Sequence, residues 1–391
     1  MTIREVIEKT ELYLVDLIEN RRCRSRRRDF AAHSALFLLS QLYRAVTQVR
    51  LQLYRERILR QDNLGCLVVS IGNLTCGGTG KTPVVEVFAE TLAREGRKVA
   101  ILSRGYRSKS KPFLQRLRER LSGPGGGSPP RVVSDGKRLL MDSAMAGDEP
   151  YMLAGNLPEV AVVVDKDRVK AGRHAIRRLG CDTLILDDGF QYMRLKPRLN
   201  ILLVDSSAPF HNHHLLPRGL LREPIKNLRR ADYVFLTKSD GSPRIRHLKA
   251  FLKKHNARAE IIECTHKPQH LEDIYTGQRF KLEHLRGKKI SAISGIARPE
   301  SFENFLRNLG GELVYSERFM DHHRYRQQEV IDFINQSLSR QTELILTTEK
   351  DAVRFPKLDR RDLPIYFLRV KIDILSGKET FDACIHRICF N

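Results

Sequence analysis

An α/β fold built on a parallel sheet is predicted by three features of the sequence. Short apolar runs at 67–71 (LVVSI), 98–102 (KVAIL), 160–164 (VAVVV), 183–187 (TLILD), 200–204 (NILLV) and 233–236 (YVFL) alternate with helical segments. Strands this short and this apolar are buried on both faces, which is the pattern of a parallel sheet covered by helices. The first run leads straight into a glycine-rich loop and then a helical run from Val84 to Arg94. From Lys288 a second alternation begins: KISAIS, helices over about 299–309 and 327–339, then ELILTT and IYFLRV.

In chain order, residues 1–60 come first. RRCRSRRR (21–28) precedes apolar residues at helical spacing (Phe30, Leu36, Phe37, Leu38, Leu39, Leu42, Tyr43, Val46, Val49, Leu51, Leu53), interrupted by Arg44, Arg50, Arg55, Arg57 and Arg60. Such a basic amphipathic segment fits a helix lying in an anionic headgroup layer, and equally a helix docked on the core with a solvated basic face. The uncharged stretch Phe30–Tyr43 falls short of the roughly 18–20 apolar residues that cross a bilayer. Residues 1–20 carry Arg4, Glu5, Glu8, Lys9, Glu11, Asp16 and Glu19, unlike a secretory signal, so a cytoplasmic chain is expected. Residues 61–275 form the expected sheet domain and 276–391 the smaller C-terminal α/β domain, with the boundary in the polar stretch 266–287. KSKPFLQRLRERLSGPGGGSPPR (109–131) reads as a surface loop.

The chain has 391 residues, with 69 Lys and Arg against 46 Asp and Glu, a formal charge of +23. This length buries a full core without staples, and the charge calls for an anionic partner. Zinc-finger spacing and RNP-like aromatic strands are absent and aromatics make up 7%, so no nucleic acid is expected. The 7 cysteines are scattered without a CxxC pair, as in a reduced protein.

Thr75-Cys76-Gly77-Gly78-Thr79-Gly80-Lys81-Thr82 follows a strand and opens a helix. In that setting the backbone curls its N–H groups around phosphate oxygens, the lysine neutralises them and the threonine hydroxyl holds Mg²⁺. The strict pattern has Gly where Thr75 stands; Gly77 and Gly78 supply the flexibility. A P-loop also needs an acidic residue at a neighbouring strand end, and Asp187-Asp188 after LIL supplies it. Asp148-Glu149, in Ala-Gly-Asp-Glu-Pro, is a second adjacent acidic pair, which alone reads as a surface turn.

Several strings then fall in one order: SIGNLTCGGTGKTP (70–83), LSRGY (102–106), AGDEP (146–150), LILDDGFQ (184–191), LNILLVD (199–205), LLPRGLLREP (215–224), RRAD (229–232), FMDHHRY (319–325) and TTEKDAVRF (347–355). Over about 50–370 the sequence closely resembles the tetraacyldisaccharide 4'-kinase family of lipid A synthesis. The resemblance implies a P-loop NTPase-like domain with a smaller C-terminal domain. It implies transfer of the γ-phosphate of ATP, with Mg²⁺, to the 4'-hydroxyl of an acylated glucosamine disaccharide 1-phosphate, at the cytoplasmic face of the bacterial inner membrane by a peripheral enzyme on its anionic surface. By position, Lys81 meets the β/γ-phosphates, Thr82 the metal, and Thr75 to Gly80 the phosphates. Asp187, Asp188 and Glu149 serve the metal. Asp148 matches the general base and His322 its partner, with His323 next to it where the family commonly has a single His. Because His322 falls in the C-terminal domain, closure of the domains is expected to complete the set. Arg104, Tyr106, Arg168 and Arg230 are expected near phosphate or substrate.

A P-loop GTPase at an anionic membrane or nucleic acid is the alternative. Thr237-Lys238-Ser239-Asp240 fits a guanine-reading pattern, but Phe190 stands where the DxxG switch needs glycine.

Overall fold

A computed structural model describes residue 13 and residues 16–18, 27–105, 128–359 and 362–390. Its contacts group the chain into two compact units: 1–81, 182–265 and 374–391 in the first, and 82–181 and 266–373 in the second. This grouping interleaves along the chain, unlike the consecutive segments 61–275 and 276–391.

The first unit holds helices α1 (Arg27–Arg55), α6 (Arg244–His255) and the final α10 (Lys378–Phe390), and strand β1 (Leu67–Asn73). It also holds strands β5 (Thr183–Asp187), β6 (Leu199–Asp205) and β7 (Tyr233–Thr237), and the start of β8 (Glu260–Asp273). These strands run in the order β8-β7-β6-β1-β5, every neighbouring pair parallel. Their residues are buried almost throughout, as the apolar runs require. The order places the C-terminal ends of β1 and β5 side by side, with Ile71 opposite Asp187. Loops at that edge of a parallel sheet are where ligands bind.

Helix α1 exposes the apolar stripe and turns a polar one inward, the arrangement of the first of the two readings. Asp29, His33, Ser40 and Leu51 face inward, whereas Phe30, Leu38, Leu42, Val46 and Val49 are more than half exposed. Tyr13 donates to Asp29 Oδ1 at 2.7 Å, and Tyr43 donates to the Arg222 carbonyl at 3.1 Å, which hold the polar stripe against the unit. Among the described residues no helix is long and apolar enough to cross a membrane.

The second unit contains α2 from Thr82 onward (Lys81–Arg94), β2 (Val99–Ser103), β3 (Arg131–Asp135), α3 (Ser143–Ala146), α4 (Asp148–Asn156), β4 (Ala161–Val164) and α5 (Arg168–Leu179). β2 pairs with β4 in parallel and β3 with β4 antiparallel. Later come β9 (Arg279–Phe280), β10 (Lys289–Ser294), α7 (Pro299–Asn308), β11 (Glu312–Arg318), α8 (Gln327–Ser339), β12 (Leu344–Thr348), α9 (Glu349–Ala352) and β13 (Ile365–Ser376). β11-β10-β12-β13 are parallel in that order. The stretch 266–287 carries the rest of β8, β9 and a short 3₁₀ turn. There the end of β8 pairs antiparallel with β9, with buried Leu271 opposite Phe280. The expected loop 109–131 lies outside the described residues as far as 127, as does 21–26 of the basic run.

Candidate active site

In the first unit the phosphate loop rests on a polar platform. Gly77 and Gly80 adopt φ of +103° and +76°, conformations that glycine reaches without strain. A Cβ at Gly77 or Gly78 would meet no atom within 4 Å, so the outer side of the loop is open. Beneath it, Asn73 Nδ2 donates to Thr79 Oγ1 at 2.9 Å and Thr237 Oγ1 donates to the Thr79 carbonyl at 2.8 Å. Lys238 Nζ donates to the Gly78 carbonyl at 2.6 Å and pairs with Asp205 at 2.7 Å. Burial alone would raise the Asp205 pKa, but hydrogen bonds from Lys238 and Ser207 hold it below the ordinary carboxylate value. Thr237 and Lys238 therefore brace the loop, which accounts for their presence without a guanine base. Thr75 is buried and bridges to Leu221, and Cys76 donates its N–H to the Leu220 carbonyl at 2.7 Å. Burial pushes the Cys76 thiol pKa up, which keeps it protonated.

At the end of β5, Asp187 is buried and Asp188 is partly exposed with φ +54°. Asp188 Oδ1 lies 2.6 Å from Arg222 Nη1 and 3.8 Å from Lys81 Nζ. The turn that exposes it has no room for a side chain at Gly72, where a Cβ would stand 2.7 Å from the Phe190 nitrogen.

The second unit builds a different cluster. Asp148 opens α4 and is 7% exposed. His322 Nδ1 lies 3.1 Å from Asp148 Oδ2, and Arg354 Nε lies 3.1 Å from the same oxygen. Arg324 Nη2 reaches Oδ1 at 3.4 Å. Burial by itself would raise the Asp148 pKa, but the His322 hydrogen bond and the Arg354 and Arg324 charges hold it below the ordinary value. His322 is held at φ +64°, a conformation non-glycine residues seldom adopt, with its N–H on the Gly295 carbonyl. The adjacent His323 turns away: its Nε2 meets Glu329 at 2.8 Å and its ring stacks on Phe319. A cleft of about 380 Å³ is lined by Asp148, Met320, Asp321, His322, His323 and Arg324.

Arg354 and Asp351 are both fully buried beneath this cluster. Arg354 Nη1 donates to the His323 carbonyl at 3.1 Å, and Asp351 accepts from the Tyr325 hydroxyl at 3.0 Å and the Gly295 N–H at 3.1 Å. Lys350 Nζ lies 3.2 Å from His322 Nε2 and 3.1 Å from Glu149 Oε1. Asp148 and His322 thus meet inside one unit, although they are 174 residues apart in sequence.

The other expected residues are dispersed. Arg230 is spent on Glu223 at 2.6 Å and on the face of Phe190 at 4.0 Å, and burial lowers its pKa. Arg168 is buried at the start of α5, whose N-cap is Asp167, and Arg104 is exposed after β2. Tyr106 lies outside the described residues. Arg222, Lys350 and Arg354 were given no role by the sequence. They stand within LLPRGLLREP and TTEKDAVRF, and cations inside strings that carry the family resemblance are the signal that could have singled them out.

Residues 32–389 match the family described as Tetraacyldisaccharide-1-P 4'-kinase. A relative from Halothermothrix orenii named tetraacyldisaccharide 4'-kinase is 34% identical over 94% of this chain and 95% of its own length. Another of that name from Anaeromyxobacter dehalogenans is 39% identical over 90% of each. The solved structure of LpxK from Aquifex aeolicus in complex with ATP aligns with a TM-score of 0.71 at 30% identity, covering 92% of this chain and 100% of that one.

Proposed function

This chain belongs to the tetraacyldisaccharide-1-P 4'-kinase family, and from that premise we propose how its residues share the work. It is an ATP-dependent tetraacyldisaccharide 4'-kinase of lipid A synthesis. The γ-phosphoryl group of ATP passes to the 4'-hydroxyl of the acylated disaccharide 1-phosphate.

Lys81 and the N–H groups from Gly77 to Gly80 bind the phosphates. The open backbone at Gly77 and Gly78 supports this, because phosphate oxygens need that unobstructed approach. The donor set also suits Mg²⁺, a hard cation usually held by one or two carboxylates together with phosphate oxygens and water. Asp187, Asp188 and the Thr82 hydroxyl would hold it, with Glu149 assisting. When bound, Mg²⁺ neutralises charge on the phosphate oxygens.

Asp148 accepts the proton of the 4'-hydroxyl. A sugar hydroxyl is a poor nucleophile, and a carboxylate within hydrogen-bond reach activates it as the new P–O bond forms. The observation that carries this is the buried Asp148, its pKa held below the ordinary value, with His322 and Arg354 at 3.1 Å each, on the wall of an open cleft. The enzyme is peripheral: the outward apolar face of α1, interleaved with Arg44, Arg50 and Arg55, meets the anionic cytoplasmic surface of the inner membrane, where ATP and the lipid substrate coexist.

The test is phosphoryl transfer from γ-labelled ATP to tetraacyldisaccharide 1-phosphate in detergent micelles, beside GTP and beside Asp148→Asn. Transfer from ATP that collapses about 10²–10⁴-fold in the variant supports the base. Unimpaired transfer by Asp148→Asn removes it.

A further inference from the structure

Two cations of TTEKDAVRF, Lys350 and Arg354, grip opposite sides of the Asp148–His322 pair. Arg354 Nε and His322 Nδ1 both address Asp148 Oδ2, at 3.1 Å each. Oδ1 has a single neighbour of this kind among the described residues, Arg324 Nη2 at 3.4 Å. On the far side of the ring, Lys350 Nζ stands 3.2 Å from His322 Nε2. Glu149 at 3.1 Å and Asp321 at 3.7 Å hold that ammonium in place.

An ammonium carries hydrogen-bond donors and no acceptor. The nitrogen it faces must therefore offer a lone pair, so the Nε2 of His322 bears no proton. Nδ1, 3.1 Å from Asp148 Oδ2, then carries the ring proton and donates it to that oxygen. Oδ2 accepts this bond and lies against the positive charge of the Arg354 guanidinium, while Oδ1, with Arg324 Nη2 at 3.4 Å, keeps lone-pair capacity.

We infer that Lys350 is a positioning residue that fixes His322 as its Nδ1–H tautomer, so that His322 orients Asp148 through Oδ2 and Asp148 Oδ1 receives the proton of the sugar hydroxyl. The inference rests on Asp148 being the base. In the step, the 4'-O–H bond breaks and its proton bonds to Oδ1. The freed electron pair forms the bond to the γ-phosphorus as the bond from that phosphorus to the β,γ-bridging oxygen breaks, and its electrons leave with ADP. His322 neither gains nor loses a proton. It acts as the aspartate does in a Ser-His-Asp triad, with the roles exchanged: a group that fixes geometry while its partner moves the proton.

The experiment is long-range ¹H–¹⁵N spectroscopy of the imidazoles in the full chain labelled with ¹⁵N-histidine at neutral pH, with His322→Gln to assign the signals. The expected wild-type spectrum shows His322 with a protonated Nδ1 and a bare Nε2. Lys350→Met releases that tautomer and lowers kcat about 10²-fold while leaving the KM for ATP little changed. Lys350→Arg, which keeps the donor, restores both. A wild-type His322 protonated on Nε2 overturns the inference whatever the variants do, so a variant that fails to fold does not shield it. Lys350→Met with unchanged spectrum and kcat overturns it as well. Asp148→Asn with unimpaired turnover beside an Nδ1–H wild-type spectrum overturns the base itself, and with it the assignment of Oδ1.

Discussion

Arg222 Nη1 lies 2.6 Å from Asp188 Oδ1, on the carboxylate that Lys81 reaches at 3.8 Å. The same Nη1 is 3.4 Å from Asn73 Oδ1, and Asn73 also donates to Thr79 in the phosphate loop. Arg222 therefore fixes the aspartate from behind and leaves Lys81 free to turn to phosphate. Nearby Asp188 also favours the charged form of Arg222, whose pKa is raised although burial opposes it. Replacing Arg222 by Met removes a charge-assisted hydrogen bond worth about 1.5–3 kcal/mol, so kcat/KM for ATP should fall roughly ten- to hundredfold. Lysine, a point charge without the planar fork, should recover little of it. Steady-state kinetics at varied ATP decide the matter. An unchanged kcat/KM in Arg222→Met would leave Asp188 without need of its partner.

The glycines of this region separate into positions needed by the fold and positions needed by the ligand. Gly78→Ala adds a methyl that meets nothing within 4 Å, whereas Gly72→Ala drives one to 2.7 Å from the Phe190 backbone. Gly78→Ala should melt at the wild-type temperature yet bind ATP more weakly, because the methyl enters space reserved for phosphate. Gly72→Ala should lose stability by about 1–3 kcal/mol, the usual range for overpacking a tight site. Thermal melts with and without ATP separate these outcomes, and a Gly78→Ala protein with wild-type ATP affinity would show that the open space is not the phosphate site.

The parallel strands were legible because burial on both faces leaves an unambiguous apolar run, and the phosphate loop because its glycines and Lys81 are local in sequence. β3, β11 and the final helix were not foreseen. β3 buries only Val133 and Ser134 and β11 buries no residue fully, and such short, weakly apolar runs carry little signal against neighbouring loops. The α1 helix was foreseen as amphipathic, but periodicity cannot say which stripe faces the protein. Asp29, His33 and Ser40 turn inward, with Asp29 accepting from Tyr13. For the site, AGDEP and FMDHHRY were recognised as strings. The choice of His322 over His323 needed the fold, since only the turn at φ +64° aims one ring at Asp148 and the other at Glu329. Lys350 and Arg354 stand in the string TTEKDAVRF, and only the fold brings them to the Asp148–His322 pair.

Asp148 sets a testable acid limit. Its pKa lies below the ordinary 3.8, with burial opposing the shift and His322, Arg354 and Arg324 prevailing. A carboxyl whose pKa falls on folding stabilises the protein above its unfolded pKa and loses that contribution as pH drops through the folded value. The base is therefore ionised across the whole range in which an enzyme of this kind operates, and kcat/KM should show no acid limb from Asp148 while the protein stays folded. Arg354→Met removes one of the charges that depress it. That variant should bring an acid limb up towards the ordinary carboxylate range, together with a loss of activity at neutral pH. Profiles of kcat/KM against pH for both proteins are the check, and a variant whose limb does not move would assign the depression to His322 and Arg324 alone.

The outward face of α1 predicts how the enzyme meets lipid. Leu38, Leu42 and Val46 are 69%, 63% and 59% exposed, and they lie on one side of the helix at four-residue steps. An aliphatic side chain of this size moved from water into an acyl layer contributes about 1.5–3 kcal/mol. Partial burial at a headgroup boundary retains roughly half of that, so three such side chains are worth roughly 2–4 kcal/mol in partitioning. Changing all three to serine should weaken sedimentation with anionic phospholipid vesicles about tenfold or more. The melting temperature should stay put, since none of the three is buried in the unit. Arg44, Arg50 and Arg55 add a salt-sensitive part, so wild-type binding should also fall as ionic strength rises and on uncharged vesicles. Equal sedimentation of the triple variant and wild type would assign the exposed stripe another occupant. A triple variant that leaves the vesicles but still phosphorylates micellar substrate at the wild-type rate would separate membrane attachment from chemistry, which is the expected result if α1 serves only to hold the enzyme where its substrate is.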